Sequence, residues 1–119
     1  MTLFRLGWSR FLVTIDGEDC ELLVDEKRTR VGFVTTRYVS GRDRESAASQ
    51  ALRQVQDELR RILVNELSDP PRVWVSAVRE LERNYNGPRP RAGFTFYTGG
   101  KGQEQPERLH GEAEPPGSH

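Results

Sequence analysis

Arginines and aromatic residues are the side chains of this chain that are best suited to bind a ligand. Arg37 and Tyr38 are adjacent in a segment rich in Val, Thr and Phe, and Arg72 and Trp74 lie two positions apart in another. A guanidinium binds carboxylate or phosphate oxygens through paired hydrogen bonds, and an aromatic ring stacks on nucleic-acid bases. These four residues are therefore candidate binding residues for RNA, single-stranded DNA or a small anion.

The sequence contains no arrangement that predicts a catalytic or metal site. Both histidines, His110 and His119, lie in a C-terminal segment of tail-like composition, so none is predicted beside a serine in the folded part. A zinc site needs four ligands at defined spacing, and the single cysteine, Cys20, stands among carboxylates that disfavour its thiolate. The six acids of residues 16–26 lack the register of a calcium loop. We therefore predict no catalytic residue, metal or cofactor.

The composition predicts one small cytoplasmic protein with no membrane partner. The 119 residues include 18 basic and 18 acidic side chains, and 34% of them are hydrophobic. The cancelled charges produce no net field that would attract nucleic acid or a membrane. No apolar run approaches the roughly 18 residues that span a bilayer, and the first residues lack the features of a signal peptide. One cysteine excludes an internal disulfide framework.

A change in composition after residue 97 predicts a domain boundary. Residues 98–119 contain five Gly, three Pro and four Glu, with one large apolar side chain, Leu109. Such a segment buries too little apolar surface to offset an ordering entropy of about 1–2 kcal/mol per residue. We predict a single α+β domain at residues 1–97 and a disordered tail at residues 98–119.

The apolar residues near the start of the chain alternate as they do in a β-strand. Residues 3–15 are predicted to form one long strand, with a bulge at residues 9–10 where the alternation changes phase. Two short strands broken at Gly7 are the alternative. Residues 16–19, which include Asp-Gly, are predicted to form a hairpin turn. A short strand at residues 21–24 and a polar break follow.

Three further strands are predicted at residues 30–40, 72–82 and 93–97, because these segments are rich in Val, Thr and aromatic residues. Alternation directs Phe33 and Val75 toward the helix. An exposed aromatic surface on the opposite face would be a binding surface or a dimer interface. The alternative is that these side chains pack beneath the following loop or the tail. The aromatic residues predicted on that opposite face are Tyr38, Trp74 and one of Phe94 and Phe96.

The clearest predicted element is an amphipathic helix that begins after Asp43, whose carboxylate suits the amides of a first helical turn. Pro70 and Pro71 are predicted to end it, because proline disfavours a helical preceding residue and donates no hydrogen bond. The predicted fold class is α+β: an antiparallel β-sheet with one long α-helix packed on one face, in the order β-(β)-β-α-β-β. The apolar stripe of the helix comprises Ala48, Ala51, Leu52, Val55, Leu59, Ile62 and Leu63.

Two segments of the chain resemble small bacterial α+β proteins of uncharacterised function. Residues 32–39 are similar to the G-F-x-T-T-R-[FY]-V strand of those proteins, which runs into a helix. Residues 93–97 match their closing G-F-T-F-Y segment. The resemblance covers most of residues 1–97, and it implies the same order of elements and no activity.

Three functions are compatible with these patterns. The sequence lacks catalytic groups and has apolar residues on both faces of its predicted strands. These two features favour a non-catalytic protein-interaction domain, whose partner is another protein or a second copy in a homodimer. One alternative is binding of RNA or single-stranded nucleic acid through an arginine-rich, aromatic sheet face. Another is a small-ligand binder or enzyme that uses Arg37 to hold a carboxylate or phosphate.

Overall fold

A computed structural model describes residues 7–90, 93–98 and 107–108. The described residues form an α+β fold, with one helix and an antiparallel sheet in the order β3-β1-β2-β4-β5. The elements, in chain order, are β1 (Ser9–Val24), β2 (Lys27–Gly41), α1 (Arg44–Leu59), β3 (Arg72–Leu81), β4 (Thr95–Thr98) and β5 (Glu107–Arg108).

One long hairpin, β1 and β2, forms the centre of the sheet, and it corrects the predicted order of elements. The chain reverses at Asp25 and Glu26, which have positive φ values of 51° and 66° and form a two-residue turn. This geometry matches the twist of the flanking strands. The hairpin turn predicted at residues 16–19 is therefore wrong, and the predicted strands 3–15 and 21–24 belong to one strand.

The polar segment that resembled a turn contains a β-bulge. Gly17 lies opposite Phe33 and Cys20 lies opposite Val31, so three steps along β1 match two along β2. Asp19, with φ of 62°, accommodates the extra residue. The bulge restores the alternation that buries Cys20 and the residues beyond it, which keeps the strand intact.

The bulge predicted at residues 9–10 is absent from the described part of the chain. Ser9 lies opposite Gly41 and Arg10 lies opposite Ser40, in an unshifted register. Trp8, which is 52% exposed, lies before β1. The change of phase between Trp8 and Phe11 therefore marks the start of the strand and not a bulge within it. The part of the predicted strand before residue 7 lies outside the described residues.

The helix begins where the sequence predicts and ends earlier. The Asp43 carboxylate accepts a 2.8 Å hydrogen bond from the Ser46 amide, which lowers the pKa of Asp43. The helix ends at Leu59, well before the prolines, so the long helix predicted from the apolar stripe is wrong. The chain leaves the helical path because Val64 donates its amide to the Glu21 carbonyl in β1, at 2.8 Å.

The core lies between α1 and one face of the sheet. The buried residues of the helix recur every four positions and form its core-facing side: Ala47, Ala51, Val55 and Leu59. Ile62 and Leu63 pack on the core from the turn that follows the helix.

Phenylalanines fill the part of the core nearest β4. Phe33 packs edge-to-face on Phe94, with ring centroids 5.1 Å apart. Phe96 lies opposite Phe33 in the sheet register, and both Phe94 and Phe96 are buried with the helix-side core. The prediction that one of them faces away from the helix is wrong, because Tyr97, opposite Gly32, takes that position.

The predicted tail lies almost entirely outside the described residues. Within it, Glu107 and Arg108 form the short strand β5, which pairs with β4. The boundary at residue 97 stays a prediction. In the described part of the chain, no helix is long and apolar enough to cross a membrane.

Cys20 is expected to resist modification in the folded protein. Its side chain is fully buried, and burial together with the neighbouring Asp19 charge raises the pKa of the thiol to about 12. Only the thiolate is a good nucleophile. We expect an aromatic disulfide reagent at pH 8 to label Cys20 far more slowly in the native protein than in guanidinium chloride. Equal rates in the two solutions would contradict this prediction.

Candidate binding surface

The sheet separates the four predicted binding residues onto two faces. Arg37 lies opposite Val13 and points into the helix-side core, whereas Tyr38 lies opposite Leu12 on the other face. Trp74 shares that other face, because it lies opposite Asp16. The face away from α1 is called the distal face below, and its central residues are Arg10, Leu12, Thr14, Asp16, Glu18, Thr36, Tyr38, Arg72, Trp74 and Arg79.

Arg37 is engaged entirely within the fold. Its guanidinium donates to both carboxylate oxygens of Glu58 at 2.9 Å, and its Nε donates to Thr35 Oγ1 at 3.0 Å. Thr35 donates in turn to the Gly93 carbonyl at 2.6 Å, and the guanidinium carbon lies 5.3 Å from the centroid of the Phe94 ring. Arg37 therefore links β2, α1 and the segment before β4.

Tyr38 is held by two arginines at one end of the distal face. Arg10 donates to the Tyr38 hydroxyl at 3.1 Å and to the carbonyls of Glu82 (3.2 Å) and Arg83. The guanidinium carbon of Arg89 lies 4.4 Å from the centroid of the Tyr38 ring, which is a cation–π geometry. The chain after β3 thus returns over Tyr38, which agrees, for this residue alone, with the alternative that the aromatic residues pack beneath the loop.

The Trp74 end of the distal face has a different charge. Arg72 lies 5.9 Å from the centroid of the Trp74 ring, and it forms ion pairs with Glu18 and, at 3.1 Å, with Asp19. Asp16, directly opposite Trp74, is also buried. Carboxylates therefore compensate the basic charge here, whereas arginines dominate around Tyr38.

β3 forms one edge of the sheet. Among the strands that the structure describes, it pairs with β1 alone, and it contains ten residues without proline. Ser76 is the extra residue of a bulge, because Val75 lies opposite Ile15 while Ala77 lies opposite Thr14. Ser76 and Ala77 are exposed, and Arg44 of α1 donates to the Val78 carbonyl. Sequence patterning identified the strand but carried no signal of its edge position.

A cleft lies beside the start of β3. It has a volume of about 540 Å³ and is formed by the end of α1, the connection to β3 and Val73. Leu67, on its rim, is 100% exposed. The residues lining the cleft are Gln56, Leu59, Arg60, Leu63, Asn65, Leu67, Pro71 and Val73.

The described residues contain no group of three or more His, Cys, Asp and Glu side chains arranged to hold a metal ion.

No protein-family model, curated protein or solved structure matches the chain. The resemblance to small bacterial proteins at residues 32–39 and 93–97 stays a prediction. The interpretation of function therefore depends on the geometry of the distal face and of the β3 edge.

Proposed function

We propose that this chain is a non-catalytic protein-interaction domain of the cytoplasm that forms a homodimer through β3. The observation that carries this proposal is the position of β3 at an edge of the sheet. An edge strand presents unpaired backbone N–H and C=O groups, which bind another strand by extending the sheet. We assign Arg37 no ligand-binding role, because Glu58 already occupies its guanidinium.

Short or proline-containing edges discourage such pairing, and β3 is neither; its charged residues lie towards its two ends, and its bulge is at Ser76. Its first half contains Val73, Trp74 and Val75, and the exposed residues in its middle, Ser76 and Ala77, are small and uncharged. Among the described residues, Arg44 of α1 donates a side-chain hydrogen bond to this edge, at the Val78 carbonyl. A second strand therefore meets no proline and no charged β3 side chain between Val73 and Val78, and pairing at Val78 replaces the bond from Arg44.

A second copy of β3 is a suitable partner because the strand is self-complementary in one antiparallel register. Placing Val75 opposite the second copy's Val78 matches two half-buried valines of the helix-side face. The same register places Trp74 opposite the second copy's Arg79 on the distal face, as a cation–π pair. A shift of two residues would instead oppose Arg72 to Arg79, two like charges.

Light scattering coupled to size-exclusion chromatography tests this proposal on the full chain. We expect a mass of twice 13.6 kDa at high protein concentration. We expect Ala77→Lys to give the monomer mass, because a lysine on an edge opposes strand pairing. Ala77 is exposed, so the variant is expected to keep its fold, which circular dichroism will check.

Ser49→Lys, on the exposed surface of α1, is the matched control and is expected to remain dimeric. A wild-type chain that stays monomeric at the highest attainable concentration would overturn the homodimer. A dimer that Ala77→Lys leaves intact would show that the interface lies away from β3.

A further inference from the structure

Two arginines contact Tyr38 on the distal face, and a third, Arg79, lies on the same face. Arg10 donates to the Tyr38 hydroxyl, and Arg89 lies over the ring at 4.4 Å from its centroid. Arg79 and Tyr38 both lie opposite Leu12, one on each side of it, so their backbones are about 10 Å apart across two strand spacings. These side chains bring three guanidinium groups to one end of the sheet.

Among the described residues, no neighbouring acid compensates the positive charge of this cluster. Within the part of the chain that the structure describes, no carboxylate lies within 4 Å of the guanidinium groups of Arg10, Arg79 or Arg89. Arg72, at the other end of the same face, contacts two carboxylates. The distal face is thus polarised, with its excess of positive charge around Tyr38.

The cluster also brings like charges together. Arg10 and Arg89 contact the same half-buried phenol, one at its hydroxyl and one at its ring. Two like charges this close to one side chain repel each other. Arg10 is fixed there by the carbonyls of Glu82 and Arg83. An anion seated between the two guanidinium groups would relieve their repulsion.

We infer that this cluster is a binding site for a phosphate group. Guanidinium groups present several N–H donors that match the oxygens of phosphate, and Arg10 is already oriented. The Tyr38 hydroxyl accepts its hydrogen bond from Arg10, which leaves its own proton for a phosphate oxygen. This inference does not require the proposed homodimer, but it shares Arg79 with it, so Arg89→Gln is the variant that tests the phosphate site alone.

The phosphate belongs either to a small phosphorylated ligand or to the backbone of a single-stranded nucleic acid. Trp74, on the same face, would add base stacking in the second case. The two sources differ in salt dependence, because a nucleic-acid strand that contacts several cations releases several counterions.

The test is a titration of the isotopically labelled full chain with inorganic phosphate, followed by amide chemical shifts at constant ionic strength. We expect saturable shifts at residues 10–12, 38 and 79 that chloride does not reproduce. Arg89→Gln, which lies outside β3, is expected to weaken phosphate binding about tenfold, as is Arg79→Gln. Arg53→Gln, an exposed arginine of α1, is the matched control and is expected to bind like the wild type.

A single-stranded oligouridylate, added in a parallel titration, distinguishes the two sources. Binding tighter than that of inorganic phosphate, with an affinity that falls steeply with salt, identifies nucleic acid. Affinity no greater than that of inorganic phosphate identifies a small phosphorylated ligand. Unsaturable shifts, or shifts that Arg89→Gln and Arg79→Gln leave unchanged, would refute the site. The mass measured by light scattering reports on the homodimer separately.

Discussion

Replacing Gly17 by alanine is expected to destabilise the domain by about 3 kcal/mol, the upper end of the usual range for overpacking a core. A Cβ atom at this position would lie 2.0 Å from Cε2 of the Phe33 ring, directly across the β1–β2 ladder. The Phe33 ring cannot withdraw, because it packs against Phe94 and Phe96, which are themselves buried. The expected loss of stability thus comes from steric overlap with the ring and not from backbone strain, since the Gly17 backbone is outside the left-handed region.

Urea denaturation of the full chain measures this loss as a lower transition midpoint at unchanged slope. Gly41→Ala is the matched control, because the nearest atom to its Cβ lies 3.1 Å away, and we expect a smaller loss. In a Phe33→Leu background the added methyl group of Gly17→Ala has more room. We therefore expect its cost to fall by about 1 kcal/mol or more, and strictly additive losses would contradict the steric explanation.

Local signals in the sequence predicted the elements whose causes are local. Asp43 caps α1 through an amide three residues away, and β3 begins at Arg72, directly after the two prolines. The alternation that separates Arg37 from Tyr38 is likewise a property of any extended strand. The α+β class and the antiparallel sheet follow from such signals.

The sequence-based predictions were wrong where distant residues determine the local conformation. The turn predicted at residues 16–19 is a bulge that Asn65 binds from far along the chain: its amide group donates to the Asp19 carbonyl at 2.9 Å and accepts from the Glu21 amide at 2.8 Å. Together with the bond from the Val64 amide to the Glu21 carbonyl, these contacts draw the chain out of α1 after Leu59. A stripe of apolar residues cannot reveal this, because Ile62 and Leu63 can pack against the core, half-buried, from either a helix or a turn.

The candidate site was predictable only in part for the same reason. Pairing of Arg72 with Trp74 on one face follows from spacing, whereas the bond between Arg37 and Glu58 depends on how α1 crosses the sheet. The return of Arg89 to Tyr38 depends on the path of a proline-containing loop. No periodic pattern encodes either arrangement, so the arginines around Tyr38 emerge only from the folded chain.

Glu58→Ala is expected to destabilise the domain more than Arg37→Met, although the two residues form one ion pair. The Arg37 side chain is 5% exposed and the Glu58 side chain is 36% exposed. Removing Glu58 leaves a buried cation without its carboxylate, for which we expect a loss of about 3 kcal/mol, the lower end for a broken buried pair. Removing Arg37 leaves a carboxylate that reaches solvent, and methionine retains the apolar stem against Phe94.

Urea denaturation of both single variants and the double variant measures this asymmetry. We expect about 1–2 kcal/mol for Arg37→Met, and we expect the double variant to be more stable than Glu58→Ala alone, because it no longer contains the buried unpaired charge. Asp57→Ala, which breaks the exposed pair with Arg60, is the matched control, with an expected change below about 0.5 kcal/mol. If Arg37→Met proved the more damaging substitution, Arg37 would stabilise the fold chiefly through its packing on Phe94 and its bond to Thr35, and charge burial would not control this contact.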